Sequence, residues 1–287
     1  MSNAGTHERV REYPFTDRDF GHVKKLIYRH AGISLSDGKQ DMVYSRLARR
    51  LRDHGMTSFS DYLDLLADAD SPEWQSFTNA LTTHLSSFFR EAHHFPLLAE
   101  HLAMRAASGE PMTIWCCAAS TGEEPYTIAM TVAETLGDDA SARILATDVD
   151  TDVLARADAG VYDLDRIASL SAERQRRFFL RGTGPHAGSV KVRPELRRTI
   201  SFKPLNLLDE RWAMRGPFDV IMCRNVMIYF DKDTQRRILE RFAPLLRSDG
   251  LLFAGHSESF FHATDLFKLR GKTVYQLADP ARRHGAR

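Results

Sequence analysis

The stretch Ala118-Ala119-Ser120-Thr121-Gly122-Glu123-Glu124-Pro125 carries the clearest chemical signal in the chain. It follows Thr113 to Cys117, a short apolar run of the kind that forms a buried strand. Small residues let the backbone approach a ligand closely, and Gly122 permits a tight turn. The spacing is not GxGxxG. Glu123 and Glu124 open the next helix, where a pyrophosphate would meet like charge. A ligand with a cationic head suits such a turn, and S-adenosylmethionine carries both an ammonium and a sulfonium. The competing reading is that the two acids only stabilise the helix N-terminus. Asp148 closes a second apolar run, Ile144 to Thr147, at about the distance where such folds place an acid for ribose hydroxyls. Asn206-Leu207 pairs a polar with an apolar group, as a contact to adenine requires, though the pair alone says little. Arg224-Asn225 ends another apolar run, where polar groups are costly unless they meet a partner or a ligand.

Other chemistries find less support. Cys116, Cys117 and Cys223 lie in apolar runs without CxxC spacing, which predicts buried thiols and no disulfide framework. The histidines show no HExxH spacing. His93-His94 is expected to put adjacent side chains on different helix faces, so no metal is expected. Lys plus Arg number 39 against 38 Asp plus Glu, a formal charge of +1 that gives no global drive toward nucleic acid. No stretch approaches the roughly 20 apolar residues of a membrane span. The polar start, Met1 to Arg11, does not resemble a secretory signal. A cytoplasmic monomer is the expectation.

These residues need a scaffold. From Thr16 to about Asn79 the text is helical. Phe20, Val23, Leu26 and Ile27 form one stripe, Met42, Val43, Leu47 and Leu51 a second, and Tyr62, Leu65 and Leu66 a third. After Pro111, strand-like runs alternate with helices: Thr113 to Cys117, Ile144 to Thr147, Thr199 to Lys203, Phe218 to Cys223 and Leu251 to Ala254. That alternation predicts an α/β fold with a mostly parallel sheet covered on both faces. Phe267 to Leu277 reads as an antiparallel closing hairpin. A turn-rich stretch, Arg181 to His186, and the alternating Val190-Lys191-Val192-Arg193 suggest a small antiparallel β-subdomain inserted at about 181–204. The expected division is a helical domain over 1–80, a linker over 81–95 that contributes to the cofactor site, and an α/β domain over 96–287.

Phe88-Phe89-Arg90-Glu91, Ala118 to Tyr126, Arg181 to His186, Cys223 to Asp231 and Gly250 to Glu258 occur in an order that resembles the CheR-type chemoreceptor methyltransferases over nearly the whole chain. The resemblance implies an S-adenosylmethionine-dependent methyltransferase of Rossmann-like fold behind a small all-helical domain, acting on glutamate carboxylates of chemoreceptors. It implies cofactor contacts from Arg90, Glu124, Asp148, Asn206, Leu207, Arg224 and Asn225, with Arg90 and Tyr229 at the reacting end. Where family members often have Asn and Thr, this chain has His84 and Ser86; Ser86 keeps the hydroxyl and is included, and His84 is not. The alternative keeps the cofactor and changes the acceptor to a nucleic acid or a small molecule.

Substrate docking draws on charge and on sheet edges. Arg46, Arg49 and Arg50 stand at i, i+3 and i+4, so they are expected to share one exposed face suited to an acidic receptor bundle. Val190 and Val192 are expected on an exposed edge strand that accepts a receptor tail peptide. The implied setting is the cytoplasm, with recruitment to membrane receptor arrays.

Overall fold

Thr16 and Asp19 start helix α1 (Asp17–Ala31) as a capping box: Thr16 Oγ1 accepts the Asp19 N–H at 3.2 Å, and the Asp19 carboxylate accepts the Thr16 N–H at 2.8 Å. Gly32, at φ 68°, ends it. The structure, a computed structural model, describes residues 11–138 and 140–278. The chain divides into two units, one through Thr82 and one from Thr83. The first unit continues with α2 (Gln40–Asp53), α3 (Phe59–Asp64) and α4 (Glu73–Leu81). Its core is the set of stripes read from the sequence: Val23, Ile27, Val43, Leu47, Leu51 and Tyr62 are fully buried, with Phe77 between them.

The basic face of α2 is not the open face its spacing predicts. Arg50 is turned inward onto the buried Glu73 carboxylate, with Nε and Nη2 at 2.8 and 2.7 Å. That carboxylate also accepts the Tyr62 hydroxyl at 2.7 Å and lies 2.9 Å from His54. Arg46 donates to the carbonyls of Ala80 (3.0 Å) and Thr82, capping the end of α4. Buried carbonyls and a buried carboxylate need donors, and two arginines meet that need. Of the three, Arg49 is exposed, and Arg52 is exposed beyond it.

The second unit begins with α5 (His94–Ala106), β1 (Met112–Cys116), α6 (Glu123–Leu136), β2 (Ala142–Asp148) and α7 (Thr151–Ala159). β3 (Val161–Asp163), α8 (Ala172–Phe178), β4 (Phe179–Arg181), β5 (Ser189–Val192) and α9 (Pro194–Arg197) follow. The chain closes with β6 (Ile200–Pro204), β7 (Phe218–Cys223), α10 (Lys232–Phe242), β8 (Leu246–Ala254), β9 (Phe267–Gly271) and β10 (Val274–Leu277). The main sheet runs β6-β2-β1-β7-β8-β10-β9. Its first five strands are parallel, and β10 pairs antiparallel with β8 and β9, as the closing hairpin predicts. β7 is buried along its whole length, which explains its apolar text; the one exception, Asp219, accepts from Arg105 Nε at 2.9 Å. After β1 the chain builds outward to β2 and β6, then returns to β7 on the other side. The switch point, where such sheets bind ligands, therefore lies between β1 and β7.

The small antiparallel sheet has the order β3-β5-β4 and draws on residues 161–192, wider than the 181–204 expected. Val190 and Val192 are not on an edge. They sit on the central strand and are 1% and 2% exposed, packed in the core with Tyr162 and Phe179. Alternation of Val with Lys reports which face is buried and carries no information about lateral position in the sheet. Among the described residues the outer strands are β3 and β4, which expose Val161 and Leu180.

Candidate functional site

Parallel pairing brings the carboxyl ends of β1, β2, β6 and β7 to one side, and most of the sequence-derived site residues stand there. Ser120, at φ 48°, donates its N–H to Asp148 Oδ2 at 2.8 Å, and Asp150 donates its N–H to Oδ1 at 3.0 Å. Burial pushes the Asp148 carboxyl up, against these backbone bonds. Each of its oxygens has a further lone pair to offer. Gly122, at φ 97°, is required: a Cβ there would lie 2.7 Å from the Tyr162 hydroxyl oxygen and 2.9 Å from Ala157 Cβ. His84 bridges this region, 2.8 Å from Asp150 Oδ2 and 3.3 Å from Ser120 Oγ.

The two acids that open α6 have different partners. Glu123 is buried against Arg166 and accepts the Thr121 hydroxyl at 2.6 Å, so it is structural. Glu124 points to Arg224 and accepts the Cys116 thiol at 3.3 Å. Burial pushes its carboxyl up, while Arg224 opposes the rise. The Arg224 side chain is 1% exposed; its guanidinium donates to the Arg90 carbonyl and lies 3.3 Å from Glu91. Glu91 Oε1 accepts Asn225 Nδ2 at 3.1 Å and lies 2.8 Å from His256 Nδ1, and Oε2 accepts the His256 N–H at 3.1 Å. Burial alone would raise the Glu91 carboxyl, but the His256 and Asn225 hydrogen bonds and the Arg224 charge bring it down to about 2. Two carboxylates share one guanidinium, which leaves a formal charge of −1 in a buried cluster beside the switch point. Charge buried without a partner is costly, so a cationic ligand group fits this site.

The remaining candidates lie on connections between helices and strands. Asn206 Oδ1 accepts the Leu208 N–H at 3.0 Å, and Leu207 is buried. Arg90, half-buried, donates to the Leu85 carbonyl, and half-buried Ser86 gives its carbonyl to Arg166 at 2.8 Å. Tyr229 is half-buried and closes a 3-10 turn, Met227–Tyr229, on the loop that carries Asn225. Six non-glycine residues among those described have positive φ. Four of them, Phe89, Glu91, Ser120 and Asn225, border this site, and strain of this kind collects at functional sites.

Sequence reasoning missed Glu91, His256 and Glu258. Each lies in a motif that was singled out, but their partners are as much as 165 residues away in sequence, so residue chemistry gave no sign of them. The His93-His94 expectation also changes. Their rings lie 4.2 Å apart, and Glu91, His93 and His94 offer donor atoms all within 4.8 Å of one another.

Residues 18–82 match the family described as CheR methyltransferase, all-alpha domain, and residues 84–276 match CheR methyltransferase, SAM binding domain. A chemotaxis protein methyltransferase of Escherichia coli K12 is 55% identical over 265 residues, 92% of each chain. One from Klebsiella aerogenes is 53% identical over 278 residues, 96% of this chain and 95% of its own. Chemotaxis protein methyltransferase 2 of Pseudomonas aeruginosa is 51% identical over 269 residues, 93% of this chain and 96% of its own.

Proposed function

The chain belongs to the CheR methyltransferase family, and from that premise we propose how its residues divide the work of the reaction. It is an S-adenosylmethionine-dependent methyltransferase that acts on chemoreceptors in sensory adaptation. The acceptors are receptor glutamate carboxylates, which become methyl esters, with S-adenosylhomocysteine as the other product. A nucleic-acid or small-molecule acceptor is not favoured, since the formal charge is +1 and the relatives are chemotaxis methyltransferases.

The observation that carries the site assignment is the buried Glu124–Arg224–Glu91 cluster beside the Gly122 turn. Gly122 and Glu124 receive the cationic amino-acid end of the cofactor. Asp148 accepts the ribose hydroxyls on its remaining lone pairs. Asn206 and Leu207 face the adenine, and Ser86, Arg224 and Asn225 complete the cradle. S-adenosylmethionine supplies an electrophilic methyl on a sulfonium. Arg90 orients a carboxylate, the receptor's or the cofactor's own, and Tyr229 aligns the methyl with it. A glutamate with an ordinary pKa near ~4.3 is already ionised at neutral pH, so no residue need act as base. An anion and a cation combine into neutral products, and water favours the separated charges. Exclusion of water together with alignment therefore supplies the acceleration.

Arg49 and Arg52 are the groups on α2 free to meet an acidic receptor bundle. A receptor tail peptide would pair with an outer strand of the small sheet, β3 or β4. Among the described residues no helix is long and apolar enough to cross a membrane. The working form in this reading is a monomer recruited from the cytoplasm to receptor arrays. Asp148→Asn tests the cofactor reading. Calorimetry with S-adenosylhomocysteine should show binding weakened about tenfold or more, the loss of one charge-assisted bond. Unchanged affinity would remove Asp148 from the site.

A further inference from the structure

Glu258 is 4% exposed, and its carboxylate is surrounded by donors. Oε2 accepts the Asn225 N–H at 2.9 Å and the Gly255 N–H at 2.5 Å, and Oε1 accepts the Ile228 N–H at 3.3 Å. The Asn225 side chain is held separately, its Nδ2 donating to Glu91. Asn225 has φ 59°, in the left-handed region that asparagine enters more readily than most non-glycine residues. Gly255 leaves room for the arrangement: a Cβ there would come within 2.9 Å of both the Asn225 nitrogen and Glu258 Oε2.

We propose that Glu258 is a positioning residue for methyl transfer, its two oxygens holding opposite ends of the Arg224–Tyr229 turn. Oε2 fixes the Asn225 end against the cofactor, and Oε1 fixes the Ile228 end, from which Tyr229 reaches the methyl. The carboxylate acts only through the backbone it holds. An ionised carboxylate is the side chain that can accept on both oxygens and donate on neither, so it suits a turn that points its Asn225 and Ile228 N–H groups at one side chain. The proposal rests on the reading of Asn225 and Tyr229 given above.

Glu258→Gln separates the two ends. Its amide oxygen can replace Oε2, with the two shorter bonds, while its NH2 faces the Ile228 N–H, donor against donor. S-adenosylhomocysteine affinity by calorimetry should then stay within about twofold, while kcat on receptor-rich membranes falls about tenfold. Glu258→Ala removes both ends, so affinity should also fall about tenfold. Asn225→Ala serves as the control on the cofactor reading. If it weakens binding while folded Glu258→Gln leaves both affinity and kcat within twofold, the proposal is overturned. It is likewise overturned if Gln lowers affinity tenfold with kcat intact. Should Glu258→Ala fail to fold, the Gln variant alone decides. Normal cofactor binding by Asn225→Ala would instead sink the assignment of Asn225 itself.

Discussion

Arg224 is the residue whose removal should be felt most widely, because two buried carboxylates depend on its one charge. Arg224→Met leaves Glu91 and Glu124 facing each other without a cation. Breaking a buried pair this way costs about 3–5 kcal/mol. The loss has a definite pH dependence. Without the guanidinium both carboxyls titrate at higher pH, so they shed their charge as the solution is acidified. Thermal unfolding of Arg224→Met should show its largest deficit against the parent near neutrality and a smaller one near pH 5. A deficit independent of pH would mean that the cluster is held by packing rather than charge. At Gly122 the constraint is steric. Gly122→Ala forces a Cβ into Tyr162 and Ala157 at φ 97°, a strain of about 1–3 kcal/mol at the mouth of the proposed cofactor site. Cofactor affinity should drop together with stability. The turn at Gly122 and the strand end at Asp148 were legible in the sequence because a glycine turn and an acid at a strand end each have a local signature. Glu91 and Glu258 were not, since a carboxylate whose task is to hold distant backbone looks like any other surface acid until the fold supplies its partners.

Among the elements, the start of α5 couples the site to the closing hairpin. Buried His94 gives Nε2 to the Lys272 carbonyl at 2.9 Å, and its Nδ1 lies 3.6 Å from Glu91. Burial is the largest influence on this imidazole and lowers its pKa from 6.5 to about 4, despite the Lys272 bond. Over that interval the unfolded chain takes up a proton that the folded chain refuses. Stability should therefore decline as pH falls from about 6.5 to about 4 on this account. Glu91 adds a second window: held down to about 2 against an ordinary 4.5, it contributes stability that is lost as pH falls between those values. Urea midpoints measured against pH should show the upper decline flattened in His94→Gln and the lower one retained. An unaltered upper decline would assign it to another group. The elements themselves were largely readable, since apolar runs and helical stripes report burial directly. Lateral order in a sheet is not written that way: β5 reads like an edge and stands in the centre, because pairing depends on strands contributed by distant segments.

On the scale of the whole molecule, a formal charge of +1 gives no general attraction to an acidic receptor, so docking has to be local. The sequence placed that task on Arg46, Arg49 and Arg50, but a run of arginines cannot show which of them the fold has already taken. Reversing Arg46 or Arg50 would unpair buried groups and destabilise the helical unit. Reversing Arg49 and Arg52 to Glu should instead raise the receptor KM several-fold while leaving cofactor affinity unchanged. The effect should shrink as salt shortens the screening length below roughly 8 Å. A receptor KM that does not respond would move docking off α2. The most direct test of the central claim uses methyl-labelled S-adenosylmethionine with receptor-rich membranes, followed by mild base. Carboxyl methylation predicts label on the receptor band that is released as volatile methanol; base-stable label, or label on nucleic acid, would contradict it.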